Sequence, residues 1–178
     1  SLIHLSLQSK AKPDATAPVT VTWHSGNNSE KQYVKYGVTP DPGKRVKAIR
    51  SEYNGSSIFN ADLKKLRAGA KYFYRCGSDK EGWSRVYSFF SEPDTGTFRV
   101  GVIGDTQDNN QNEDFQKTRV ITDLLKTFSP HLTLHMGDIV NDGSQTASWT
   151  DFLSVSQDLN AISPLMPVLG NHDVVNAK

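Results

Sequence analysis

The chain has 178 residues, 36% of them hydrophobic and 22% charged, with a net charge of +1, the mixture of a folded globular protein and not of a disordered one. That balance offers no single-sign field for nucleic acid or an anionic membrane, and no apolar run approaches the roughly 20 residues of a membrane-spanning helix. The opening SLIHLSLQSK lacks the basic start and long apolar core of a signal peptide, although a chain that begins with serine is compatible with a leader already removed.

Up to about residue 91 the sequence is a train of short β-favouring runs: VTVTWH, QYVKYG, RVKAIRS, SIFNADL, KYFYRCG and SRVYSFF. SGNNSE, TPDPG, LRAGA and SDKEG separate them, each a turn former through Gly, Pro or an Asx side chain. No helical period runs through this half, and the spacing predicts an antiparallel sandwich. Trp23, Tyr36, Tyr72, Tyr74, Trp83 and Phe89 fall where aromatics would fill its core. The single cysteine, Cys76 in YFYRCG, forbids an internal disulfide and reads as a small buried hydrophobe.

At SEPDTG the rhythm changes. TFRVGVIGD is a continuous apolar strand of the kind buried on both faces of a parallel sheet. In EDFQKTRVITDLLKTF, Phe115, Ile121, Leu124, Leu125 and Phe128 recur at helical spacing, with acids in the first turn, Lys126 in the last and Pro130 closing the helix. HLTLHMGD predicts a second strand, QTASWTDFLSVSQDL a second helix with Trp149, Phe152 and Leu153 on one face, and PLMPVLGNHD a third strand. Strand, helix, strand, helix, strand is a βαβαβ unit with a parallel sheet.

Parallel sheets open their strands' C-terminal ends on one edge, where ligands bind. Asp105, Asp138 and Asn171 each follow a glycine at such an end, in GDTQ, GDIVND and GNHD. Three strands are therefore expected to deliver three oxygen donors to one place. Carboxylate and amide oxygens, supplemented by imidazole nitrogen, are what hard divalent and trivalent cations take.

These three blocks resemble the first signature motifs of the calcineurin-like metallophosphoesterases. In the first half VTVTWHSG, YVKYG, ADLKKLRAGAKYFYRCG and GWSRVYSFF are similar to the fibronectin-like N-terminal domain of purple acid phosphatases. The resemblance implies two domains: an all-β fibronectin III-like sandwich over 1–94, and over 97–178 the N-terminal half of an α/β (βαβαβ) metallophosphoesterase domain. It further implies two divalent or trivalent metal ions (Fe, Zn or Mn) that activate water for in-line attack on a phosphate-ester substrate. On this resemblance Asp105 binds the first metal, Asp138 bridges both and Asn171 binds the second. His172 then serves as proton donor or hydrogen-bond donor to the leaving-group or a phosphate oxygen, and Asp173 orients or tunes that imidazole. Proteins with this domain pair are typically exported, so a secreted or periplasmic location is expected.

The chain also departs from the pattern. Asn141 stands where the purple enzymes carry their iron-bound tyrosine, so no violet charge-transfer band is expected. Gln107 stands where relatives have His or Gly; it offers a weak carbonyl oxygen to the first metal or, in the preferred reading, hydrogen-bonds a bound water, with Asn141 also just outside the ligand set. His4 and His24 lie in the β half and His131 and His135 flank the second strand, where structural roles are expected. Two further histidine-bearing blocks of the family are absent. The chain is therefore expected to be a piece of a longer phosphoesterase, with little activity alone and an open sheet edge prone to self-association. The alternative is a non-catalytic binding or scaffolding protein whose phosphoesterase half is a relic.

Overall fold

The computed structural model describes residues 2–12, 15–26, 31–107 and 115–174. Its first part contains β1 (Ile3–Leu7), β2 (Val19–Ser25), β3 (Tyr33–Gly37), β4 (Lys44–Lys47), β5 (Ile49–Tyr53), β6 (Ser56–Leu63), β7 (Lys71–Ser78), β8 (Gly82–Trp83) and β9 (Tyr87–Phe90). These form two antiparallel sheets, one in the order β1-β2-β6-β5, the other in the order β4-β3-β7-β8 with β9 also paired to β7. Alternation along the strands sends Val19, Val21, Trp23, Phe59, Ala61 and Leu63 from one sheet, and Val34, Tyr36, Tyr72, Tyr74, Cys76 and Phe89 from the other, into a shared core. Trp23 stacks on Phe59 at 5.5 Å between ring centroids, and its indole N–H donates to Gln32 Oε1 at 2.6 Å, so the ring is buried without an orphaned donor. Burial pushes the Cys76 thiol well above its ordinary pKa, in keeping with an inert core residue.

Three features differ from the sequence expectation. The run RVKAIRS is not one strand: it breaks at the buried Ala48, so that β4 pairs with β3 in one sheet while β5 pairs with β6 in the other. The opening segment is a strand, β1, in full antiparallel register with β2. Trp83 is no core aromatic; it lies on the outer face of the five-stranded sheet, with Lys35 Nζ 4.4 Å from its ring centre.

The second part runs β10 (Val100–Ile103), α1 (Gln116–Thr127), β11 (Leu132–His135), α2 (Thr146–Val155), α3 (Gln157–Asn160) and β12 (Leu165–Pro167). The three strands form a parallel sheet in the order β10-β11-β12. Where one helix is expected after β11 there are two, because the backbone turns at Ser156, whose hydroxyl donates to the Phe152 carbonyl at 2.6 Å. Phe152 is buried against Phe115 and His135, with Trp149 and Leu153 packed around that cluster.

Helix α1 has no acid in its first turn; Glu113 and Asp114 lie outside the described residues. It buries Thr118 and Thr122 and leaves Ile121 and Leu124 49% and 61% exposed. The reason is close packing on a glycine: Leu125 covers Gly101, where a Cβ would come within 2.7 Å of Leu125 Cδ2, and Thr118 Oγ1 donates to the Thr106 carbonyl at 3.1 Å. Nor is β10 buried on both faces. Gly101 is buried, but Val100 and Val102 are 43% and 59% exposed, and Met166 and Val168 of the β12 side are exposed as well. One side of the parallel sheet is covered by helices; on the other, among the described residues, Leu132 and Leu134 are half-buried and Met166 Sδ accepts the Leu7 N–H, while Val100 and Val102 stay exposed.

The two parts touch through polar contacts on an apolar floor. The buried Tyr74 hydroxyl donates to the Ala161 carbonyl at 2.8 Å, the Ile3 amide donates to Gln157 Oε1 at 3.0 Å, and Arg85 pairs with Asp158. Ala161 itself belongs to the sandwich core.

His4 on β1 has a buried Nδ1 with no partner among the described residues. Burial, and to a lesser extent the charge of His24, brings its pKa from 6.5 down to about 4. Between those values the unfolded chain binds a proton that the folded chain refuses, so this contribution to stability is complete above pH 6.5 and is lost as pH falls toward 4. Urea unfolding of His4→Gln should therefore show a shallower loss of stability across that window than the parent chain; equal slopes would remove His4 as a source of acid lability.

Candidate metal centre

The parallel register levels the strand ends: Ile103 pairs with His135 and His135 with Pro167. All three following turns thus leave the sheet at one edge. Both Asp105 and Asp138 take left-handed backbone conformations, at φ 52° and 51°. Such φ values are uncommon for non-glycine residues, least so for Asp and Asn, and recur where a turn must aim a side chain.

The turns are tied together by backbone bonds. Asp105 N–H donates to the Gly137 carbonyl at 3.1 Å, and the N–H groups of Thr106 and Gln107 donate to the Asp138 carbonyl at 3.0 and 3.2 Å. From the third turn, His172 N–H donates to Asp138 Oδ1 at 3.0 Å. Gly170 has to be glycine for this approach, since a Cβ there would stand 2.1 Å from Asp138 Oδ1.

Asp173 fastens the same junction from beneath. Its Oδ1 accepts the N–H groups of Ile139 and Val140 at 2.8 and 3.1 Å, and its Oδ2 accepts that of Gly170 at 2.9 Å. The side chain is buried, and three backbone donors satisfy its charge. The sequence expectation gave Asp173 to the His172 imidazole, and here the geometry differs: His172 Nδ1 lies 2.9 Å from the Asn141 carbonyl oxygen. A carbonyl only accepts, so Nδ1 carries a proton and Nε2 is the nitrogen left for other chemistry.

Under the turns sits His135, fully buried, its ring edge-on to Phe152. Nδ1 accepts Gly137 N–H at 3.3 Å, Nε2 meets Thr106 Oγ1 at 2.9 Å, and that hydroxyl donates to the Ile139 carbonyl at 3.0 Å. These partners define a neutral ring protonated at Nε2. Burial lowers the pKa of His135, against the weaker opposing pull of the carboxylates of Asp173, Asp105 and Asp138. Three acids from three turns therefore lie within electrostatic reach of one imidazole. The other histidines are structural in their surroundings: His4 and His24 lie on β1 and β2, and His131 Nδ1 accepts Arg99 N–H at 3.0 Å.

Asp105, Asn171 and Asn141 are exposed, and Asp138, His172 and Gln107 are half-buried. A cavity of about 350 Å³ opens beside Asp105, lined also by Gln107, Phe115, Lys117, Thr118 and Ile121. Within this region Gln107 Oε1 is buried and has no hydrogen-bond partner among the described residues. An orphaned carbonyl oxygen on a residue that lines the same cavity as Asp105 fits a cation or a cation-bound water, since an unpaired buried acceptor is otherwise costly. Among the described residues no three His, Cys, Asp or Glu side chains gather as a metal-binding group. What the chain brings to this edge is two carboxylates, an amide and an imidazole. His135 has the structural role expected of it, while Thr106 escaped the sequence reading because no local pattern marks it; the parallel register brings both under the turns.

The part that carries these turns, residues 98–178, is matched by the family model of the calcineurin-like phosphoesterases. The model of the purple acid phosphatase N-terminal domain matches residues 2–91, just over half the chain, and the chain belongs to the purple acid phosphatase family. Acid phosphatase type 7 of Mus musculus is 29% identical over 181 residues, which span 96% of this chain and 40% of that protein. Probable inactive purple acid phosphatase 9 of Arabidopsis thaliana is 28% identical over 127 residues, 65% of this chain and 20% of that one. A solved purple acid phosphatase from seeds of yellow lupin (Lupinus luteus) has the same fold, with a TM-score of 0.76 at 19% identity over 97% of this chain and 35% of its own. The chain thus spans well under half the length of the relatives it matches.

Replacing Asp173 by Asn keeps the shape but leaves one oxygen for three donors and sets an N–H₂ group against a backbone N–H. Asp173→Asn should cost about 1–3 kcal/mol in urea unfolding. An unchanged midpoint would show that the carboxylate does not hold the turns.

Proposed function

We propose that the protein hydrolyses a phosphate ester at a centre of two metal ions to which this chain contributes Asp105, Asp138 and Asn171. The observation that carries the reading is the knitting of three strand-end turns around Asp138, beside a buried and unpartnered Gln107 oxygen. Oxygen donors of this kind suit Mn, Fe and Zn alike. Bound there, such ions would polarise the ester, supply an activated water and neutralise developing charge.

The chain's own side chains have distinct tasks in this reading. Asp138 Oδ1 is anchored by His172 N–H, which limits the carboxylate's freedom and would leave its other oxygen to hold a cation. His172, held through Nδ1 at the Asn141 carbonyl, presents Nε2 as the group that donates a proton or hydrogen bond to a leaving-group or phosphate oxygen. Gln107 holds a water or an ion through Oε1, and Asn141 serves through its backbone. Asp173 acts on the turns and not on the imidazole. The substrate is a phosphate monoester, diester or pyrophosphate. In the same reading the sandwich is of fibronectin type III type, the chain divides between residues 94 and 97, and the protein is secreted or periplasmic. Among the described residues, the partly uncovered face of the parallel sheet and the edge position of β10 support self-association.

A second reading, a non-catalytic binding protein with a relic phosphoesterase half, is favoured by two observations. Gln107 and Asn141 depart from the usual pattern, and two relatives from Arabidopsis thaliana bear the name "probable inactive".

Asp138→Asn separates the two, because the amide oxygen still accepts His172 N–H. In the full natural protein this variant should lose at least about 100-fold in turnover of a chromogenic phosphate ester. It should also bind fewer equivalents of metal by elemental analysis, with an unchanged circular dichroism spectrum. Unaltered turnover and metal content, or no metal in the parent protein, would favour the relic.

A further inference from the structure

The outer face of the five-stranded sheet carries an arrangement that the phosphoesterase reading does not use. Strand register sets Arg45 opposite Lys35 and Lys35 opposite Arg75, three cations side by side across β4, β3 and β7. Like charges directly opposite one another oppose sheet formation. On the same face Lys47 lies opposite Tyr33, and Lys71 opposite Phe90.

Aromatic rings hold four of these five cations in place. Arg45 lies 3.7 Å from the Tyr33 ring centre, Lys35 4.4 Å and Arg75 5.5 Å from that of Trp83, and Lys71 5.4 Å from that of Phe73. Cations stacked this way keep their charge while giving up side-chain freedom before any partner arrives.

Compensation by acids is partial. Asp79 meets Arg45 at 3.1 Å and Lys35 at 3.7 Å, and Arg75 has only the fully exposed Asp41 at 3.9 Å. Among the described residues Lys47 and Lys71 make no ion pair, so five cations face two carboxylates. The chain as a whole is only +1, so five cations against two carboxylates make this face more positive than the molecule's average.

We propose that this face is a docking surface for an acidic polysaccharide, a polymer with a carboxylate on each sugar. Charge complementarity selects a polyanion, and the geometry selects which one. Neighbouring strands, about 4.8 Å apart, each contribute one cation to the row Arg45, Lys35 and Arg75, a row that suits a chain repeating its charge sugar by sugar. Single-stranded nucleic acid gains its affinity by stacking bases on open rings, and here Arg45 and Lys35 already occupy the faces of Tyr33 and Trp83. The proposal is independent of the phosphoesterase reading, because no residue of the three turns takes part.

Retention of the 178-residue chain on immobilised polygalacturonate tests it, with dextran and oligothymidylate as comparison matrices. The parent chain should bind polygalacturonate, bind dextran not at all and oligothymidylate more weakly, and lose at least about tenfold in affinity between about 50 and 200 mM salt. Lys35→Gln with Arg75→Gln relieves the cross-strand repulsion, so it should fold and bind at least about tenfold more weakly. Lys47→Gln with Lys71→Gln, at exposed side chains free of ion pairs, should weaken binding about threefold and carries the test if the first pair does not fold. No binding by the parent, equal binding to dextran, tighter binding to oligothymidylate, or full affinity in folded variants would each overturn the proposal.

Discussion

A buried carboxylate that accepts three backbone N–H bonds from two different turns is the constraint on which the strand-end edge depends. Asp173 reaches back from the third turn to Ile139 and Val140 of the second while also closing its own turn at Gly170. Charge-assisted bonds of this kind are stronger and more directional than neutral ones. With that clamp set, Asp138 and His172 have little choice of position, because Gly170 passes so close to Asp138 that only a hydrogen atom fits between. The first turn follows, laced to the carbonyls of Gly137 and Asp138. His135 and Thr106 fill the space below with a satisfied polar network instead of a void.

The two parts of the molecule solve burial differently. The sandwich closes its core with aromatic side chains from both sheets and stands complete in that respect. The parallel sheet buries its second face only in part: among the described residues Val100, Val102, Met166 and Val168 remain exposed opposite the helices. The cost of that exposure falls on the part that carries the turns, whose own apolar cluster is small. Contacts such as Tyr74 to Ala161 and Ile3 to Gln157 attach it to the better-packed sandwich.

Much of this was legible in the sequence, for reasons that particular residues make plain. Strands with alternating burial, such as β6 and β7, show period-two patterning and fell where the runs SIFNADL and KYFYRCG put them. GDTQ, GDIVND and GNHD marked the turns because glycine before a polar residue at a strand end is a local signal. What sequence missed depends on distant partners. The break of RVKAIRS at Ala48 is a choice between two sheets, which no local propensity decides. The apolar stripe of α1 pointed to burial, yet its sheet contact is made by Leu125 on Gly101 and by two threonines, leaving Ile121 and Leu124 outside. Trp83 looked like core and lies under cations on a surface, since aromatic content alone does not say which side of a strand is wet.

Paramagnetic broadening of the chain's amide resonances by Mn²⁺ is the most direct measurement of whether the three turns share one cation. If they do, the signals of residues 104–107, 137–139 and 170–172 broaden together at the same low Mn²⁺ concentration, and Asp105→Ala and Asp138→Ala each weaken the effect at all three. Broadening confined to a single turn, or centred elsewhere on the molecule, would contradict a common centre.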